Sequence, residues 1–120
     1  MTVSTAKKLL FVCSQNKQRS LTAEKLFEGS PYYQVRSVGT QPDARIVVTE
    51  GHVGWADIIF CMEKSHLNRL QRKFRDALCG KQIVCLHIPD DFEFMDSDLL
   101  DEFRAKLPAY VTLPKEDRTI

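Results

Sequence analysis

Leu9-Leu10-Phe11-Val12-Cys13-Ser14-Gln15-Asn16-Lys17-Gln18-Arg19-Ser20 (LLFVCSQNKQRS) is the stretch whose reading decides the fold. Its first four residues are apolar without alternation, the pattern of a strand buried on both faces. The run stops at Cys13, polar residues follow, and after Arg19 and Ser20 the segment Leu21–Phe27 has helical spacing. A buried strand therefore hands a cysteine to a short loop, and the loop closes on an arginine at a helix start. The loop residues Ser14, Gln15, Asn16, Lys17 and Gln18 can turn successive N–H groups inward as an anion nest. The helix adds its positive N-terminal end. Arg19 adds a planar fork suited to two phosphoryl oxygens at once.

The same groups bear on the cysteine. Thiolates form where backbone N–H groups, a helix N-terminus and a cation converge on sulfur. Ser20 can offer the sulfur a hydrogen bond. Attack of such a thiolate on phosphorus would give a phosphocysteine, which water then hydrolyses.

Working outward, three more segments read as strands: Gln34–Val38, Asp57–Met62 and Gln82–Ile88. The last two are near-continuous apolar runs, as in parallel sheets flanked by helices. Helical spacing recurs in Lys64–Phe74 and in Asp98–Leu107, where Pro108 follows as a stop signal. Ala44–Trp55 is read as a crossover helix, despite its Ile46-Val47-Val48 run, because parallel strands need a crossover. Strands alternating with helices predict a doubly wound α/β fold, a three-layer α/β/α sandwich around a four-stranded parallel sheet. The reading is one domain over 1–120, with 109–120 expected as a loosely packed tail. In such sheets ligands bind at the carboxyl ends of the strands, where Cys13 lies.

Composition narrows the classes. The 120 residues are 43% hydrophobic and 28% charged, with net charge +1. That balance argues against nucleic acid or an acidic membrane as the main partner. No apolar run approaches the roughly 20 residues of a membrane span, and the run after Lys8 is too short for a signal-peptide core. Four cysteines without a secretion signal suggest free thiols in a reducing, cytoplasmic setting. Cys61 and Cys85 fall within strand runs and read as buried apolar groups, whereas Cys79 beside Gly80 is expected to be more exposed. No Cys/His spacing resembles a zinc site, so no metal and no cofactor are expected.

The segment LLFVCSQNKQRSLTAEKLF resembles the signature of the low-molecular-weight protein tyrosine phosphatases: a strand, C-x₅-R-S, and a helix containing Ala-Glu. Ser37-Val38-Gly39-Thr40, Ala56–Glu63 with His66-Leu67, and Ile88-Pro89-Asp90 resemble later parts of the same family. The resemblance implies a cysteine-dependent phosphomonoesterase with Cys13 as nucleophile and residues 14–20 as the phosphate loop. It implies that Asn16 holds the loop's shape and that Ser20 partners the thiolate. Alignment on Ile88-Pro89 gives Asp90 as general acid, with Asp96 as the rival and Phe92 as a ring flanking the substrate. Asp96 is also readable as the N-cap of the last helix. The substrate implied is a phosphorylated protein, phosphotyrosine by default, or a small phosphomonoester, turned over by a monomer or weak homodimer.

Two departures from the family pattern have consequences. The second loop cysteine of the family is Gln18 here, so no resolving thiol sits in the loop; Gln15 stands where a loop glycine is common. Two other classes stay open at this point. An arsenate-reductase-like enzyme needs a redox pair after the third strand; Cys61 is suitably placed, but the partner position is Asn68. A non-catalytic module that retains the loop and binds phosphate or a phosphoprotein is the other.

Overall fold

The computed structural model describes residues 6–114. Four strands, β1 (Lys7–Cys13), β2 (Tyr33–Gly39), β3 (Ile58–Cys61) and β4 (Gln82–Cys85), alternate with four helices. The helices are α1 (Arg19–Leu26), α2 (Glu50–Trp55), α3 (Lys64–Lys73) and α4 (Ser97–Lys106), the last running into a 3₁₀ turn at Leu107–Ala109. All strand pairs are parallel, in the order β2-β1-β3-β4. The expected α/β fold is therefore the observed one.

The unbroken apolar run of β1 follows from its central place. Leu9, Phe11 and Cys13 join a core with Ala23 and Phe27 of the α1 region and Leu99 and Phe103 of α4. Leu10 and Val12 join a second core with Val53 of α2 and Leu70 of α3. Both faces of the strand are covered, so neither alternate position can be polar. Each fully buried Leu or Phe contributes about 1.5–3 kcal/mol relative to exposure. Phe11 stacks on Phe60 at 5.0 Å between ring centroids and meets Phe103 edge-on at 6.3 Å. Because β3 returns to the opposite side of β1 from β2, the chain direction switches beside Cys13, and a crevice forms there.

Three expectations need correction. Residues 44–49 are not helical: Val47 bridges to Gly39, Gly39 N–H donates to the Ile46 carbonyl (2.8 Å), and Val48 N–H donates to the Gly39 carbonyl (2.9 Å). The β-branched run prefers this extended pairing, and the helix begins only where Thr49 caps it, accepting from His52 N–H. The last strand is shorter than Gln82–Ile88 because His87 takes φ 54°, outside the extended region. Its ladder continues past Cys85 all the same, as Leu86 N–H and Ile88 N–H donate to the Cys61 and Met62 carbonyls at 2.8 Å each. This carries Pro89-Asp90 alongside Glu63. The segment after residue 109 is not loose where it is described: Val111 is buried, Leu113 packs on the same core, and Thr112 N–H donates to Tyr33 Oη at 2.9 Å. The rest of that expectation, residues 115–120, lies outside the described residues. Among the described residues no helix is long and apolar enough to cross a membrane.

Candidate active site

The β1–α1 loop wraps the Cys13 thiol. Asn16 N–H donates to Sγ at 3.2 Å, and Ser20 Oγ lies 2.9 Å from Sγ. Asn16 Nδ2 donates to Ser20 Oγ at 2.8 Å, and Ser20 Oγ also lies 3.3 Å from the Val38 carbonyl it can donate to. Asn16 reaches this position with φ 57°, a left-handed conformation that Asn tolerates better than most residues. Cys13, Asn16 and Ser20 are all buried.

A second loop presses on the back of the first. Thr40 N–H donates to the Cys13 carbonyl (2.9 Å) and Gln41 N–H to the Ser14 carbonyl (3.0 Å). Arg45 holds the outside through Nε to the Asn16 carbonyl (3.0 Å) and its backbone N–H to the Gln15 carbonyl (2.9 Å). Gln15 Nε2 donates to Asp43 at 3.2 Å. The approach is close enough to require glycine at position 39. A Cβ there would stand 2.5 Å from the Ser14 carbonyl oxygen and 2.6 Å from Ala44 Cβ.

Arg19 is buried with its head clamped from α3 and from the end of β4. Its Nη1 donates to Glu63 at 2.5 Å and to the Ile88 carbonyl at 2.7 Å, while Nε lies 3.8 Å from Asp90. Glu63 and Asp90 thus meet the same guanidinium. A cavity of about 30 Å³ opens over the thiol, lined by Cys13, Ser14, Gln15, Lys17, Gln18, Arg19 and Asp90. Asn16 and Ser20 lie behind the sulfur rather than in the cavity wall.

His66 completes the frame from the first turn of α3. Its Nδ1 accepts from Glu63 N–H (3.0 Å) and its Nε2 lies 2.9 Å from Ser14 Oγ. An accepting Nδ1 places the ring proton on Nε2, so the imidazole is the donor to Ser14. Burial, with the Arg19 charge adding to it, pushes the His66 pKa down to about 4, although Glu63 and Asp90 pull the other way. The ring is therefore neutral near pH 7.

The remaining expected positions divide clearly. Asp96 caps α4, its side chain accepting from Asp98 N–H at 2.8 Å, and it does not line the cavity. Phe92 does not line this cavity; it is half-buried and packs against the core shared by Phe11 and Phe103. The segment between Asp90 and α4 is tied down by Met95 N–H donating to Thr22 Oγ1 of α1 (2.9 Å). Cys61 is fully buried and its thiol is pushed up to about 12, by burial first and the neighbouring Cys85 second. No group of three or more His, Cys, Asp or Glu among the described residues could hold a metal ion.

Sequence reasoning gave no site role to Glu63, His66, Gly39 or Arg45. Glu63 and His66 carried one legible signal, their three-residue spacing at a helix start, where a side chain at the third helical position can reach back to the cap.

Comparison with known proteins bears on the fold. No protein-family model matches the chain, and no curated protein matches it. Solved structures do. A low-molecular-weight protein tyrosine phosphatase from Streptococcus pyogenes superposes with TM-score 0.68 at 16% identity, over 88% of this chain and 94% of that one. The tyrosine phosphatase Wzb from Escherichia coli K30, in complex with phosphate, gives 0.65 at 21% identity over 88% and 94%. The fold is that of the low-molecular-weight tyrosine phosphatases. The YwlE arginine phosphatase from Geobacillus stearothermophilus shares it too, with TM-score 0.64 and 20% identity over 86% of this chain and 94% of that one. The fold thus hosts phosphatases named for different phosphorylated residues.

Proposed function

We propose that the chain is a cysteine-dependent phosphomonoester hydrolase working through a phosphocysteine, with phosphotyrosine as its default substrate. The observation that carries this reading is the convergence of Asn16 N–H and Ser20 Oγ on Cys13 Sγ, at the floor of a cavity walled by Arg19 and Asp90. The thiolate is the nucleophilic form of a cysteine, and the Asn16 N–H and the Ser20 hydroxyl both reach the Cys13 sulfur. A phosphoryl group over Cys13 would meet the loop N–H groups and the Arg19 fork.

In the first step the Cys13 thiolate attacks phosphorus, the S–P bond forms, and the P–O bond to the leaving group breaks. Asp90, as the carboxylic acid, gives its proton to the departing oxygen. In the second step the Asp90 carboxylate takes a proton from water. The water oxygen attacks phosphorus, the S–P bond breaks, and inorganic phosphate and the thiolate are released. Asp90 holds the acid role over Asp96 because it stands at the cavity mouth, while Asp96 is engaged as a helix cap.

An arsenate-reductase-like reaction fits this geometry poorly. It requires a second thiol able to attack Cys13. Cys61 packs with Leu10 and Val12 on the face of the sheet opposite Cys13, with its thiol held protonated. The non-catalytic reading is separated by experiment. Vanadate-sensitive hydrolysis of p-nitrophenyl phosphate that disappears in Cys13→Ser is the expected result; a wild-type protein that binds phosphate without turnover would establish the binding module instead.

A further inference from the structure

The Ser14 hydroxyl is an unused donor at the cavity wall. Its oxygen is occupied by the His66 Nε2–H, and no described residue accepts its own proton. A serine hydroxyl carries one O–H donor and two acceptor positions, so an imidazole that donates to the oxygen leaves the hydroxyl proton to point elsewhere. Ser14 lines the cavity beside Cys13, where a phosphoryl oxygen would be the acceptor at hand.

We infer that the Ser14 Oγ–H is a side-chain hydrogen-bond donor to the phosphoryl group, aimed by His66 acting as a neutral imidazole. This rests on the phosphatase reading and goes beyond it, because a phosphate nest needs only backbone N–H groups. The chain of donors runs in one direction: Glu63 N–H to His66 Nδ1, His66 Nε2–H to Ser14 Oγ, and Ser14 Oγ–H to phosphate. Donors in series polarise one another, so the last one is strengthened where charge builds up. His66 itself does not line the cavity, which makes it a positioning residue acting through Ser14. Two features keep the direction from reversing. Nδ1 cannot carry a proton while it faces the Glu63 N–H, and the imidazole charge is opposed by burial and by Arg19. Glu63 serves both arms of the site, since its carboxylate also clamps Arg19.

The test is competitive inhibition by inorganic phosphate, measured against p-nitrophenyl phosphate in wild type, Ser14→Ala, His66→Ala, His66→Gln and the Ser14→Ala/His66→Ala double variant. A hydrogen bond to a charged group is worth enough that its loss should weaken phosphate about tenfold or more. Ser14→Ala and His66→Ala should each show that loss, and the double variant should be no more than about twofold worse than Ser14→Ala alone. A glutamine amide can replace the Nε2–H, so His66→Gln should stay within about threefold of wild type. Long-range ¹H–¹⁵N correlation spectra of the wild type should show the Nε2–H tautomer of His66. If His66→Ala fails to fold, the Ser14→Ala inhibition constant and the tautomer decide on their own. Wild-type turnover and phosphate inhibition with an unchanged constant in Ser14→Ala, or an Nδ1–H tautomer, would overturn the inference and leave the phosphatase reading standing. A wild type that neither turns over aryl phosphate nor binds phosphate would overturn both.

Discussion

The buried imidazole of His66 makes a quantitative prediction about stability and pH. Folding moves its pKa from the ordinary 6.5 to about 4, so the unfolded chain binds more protons than the native one between those values. Stability from this group is fully present above about pH 6.5 and is lost as pH falls toward about 4. At about 1.4 kcal/mol for each pH unit, with partial protonation at both ends, lowering the pH from about 7.5 to about 4.5 removes about 2.5 kcal/mol. That is a large share of a stability that typically lies at about 5–15 kcal/mol. Carboxylates titrate over part of the same range, so the comparison is between wild type and His66→Gln, which lacks only this proton site. Urea unfolding at the two pH values isolates the difference, with an unchanged m-value as the check on two-state behaviour. Wild type should lose about 2.5 kcal/mol more than His66→Gln. Equal losses would show that His66 is not held neutral in the folded protein, and the donor chain to Ser14 would lose its direction.

Other outcomes follow from the same geometry. Asp90→Asn should lower kcat toward p-nitrophenyl phosphate by about 10²-fold or more, while Asp96→Asn should leave kcat near wild type, its amide oxygen still able to cap α4, and Asp96→Ala should cost roughly 1 kcal/mol of stability through the lost cap; the reverse pattern in the two Asn variants would move the acid to Asp96. Gly39→Ala places a methyl 2.5 Å from the Ser14 carbonyl oxygen, so the phosphate loop must shift, with about 1–3 kcal/mol lost and a fall in kcat/KM measurable by the same assay. Peroxide should carry Cys13 past sulfenic acid to sulfinic acid, because Gln18 replaces a loop thiol and Cys61 faces the opposite side of the sheet; a disulfide joining Cys13 to Cys61, Cys79 or Cys85 in peptide mass spectra would contradict this.

What the sequence disclosed was whatever local patterning controls. The apolar run before Cys13, the abrupt polar loop and the helical spacing after Arg19 are consequences of covering one strand on both faces, and they are visible in the nineteen consecutive residues Leu9–Phe27. The Asp96 cap was legible for the same reason, since a cap acts on the next turn. The misread parts are decided by distant partners. Ile46-Val47-Val48 looks ambiguous until Gly39 offers its backbone, and Val111 looks like part of a tail until it meets the core of Phe103 and Leu107. Glu63 and His66 reach the loop across 44 and 52 residues, so no local pattern could announce them as its supports.

The central claim is a covalent bond between Cys13 and phosphorus. Rapid quenching of wild type and Asp90→Asn during turnover of p-nitrophenyl phosphate, followed by peptide mass spectrometry, reads that bond directly. The good leaving group lets the bond form without an acid, and loss of the base slows its hydrolysis, so Asp90→Asn should accumulate more of it. A phosphoryl group on the peptide containing Cys13, enriched in Asp90→Asn, is the predicted result. Steady turnover with that peptide unmodified in both proteins, or turnover that survives in Cys13→Ser, would contradict it.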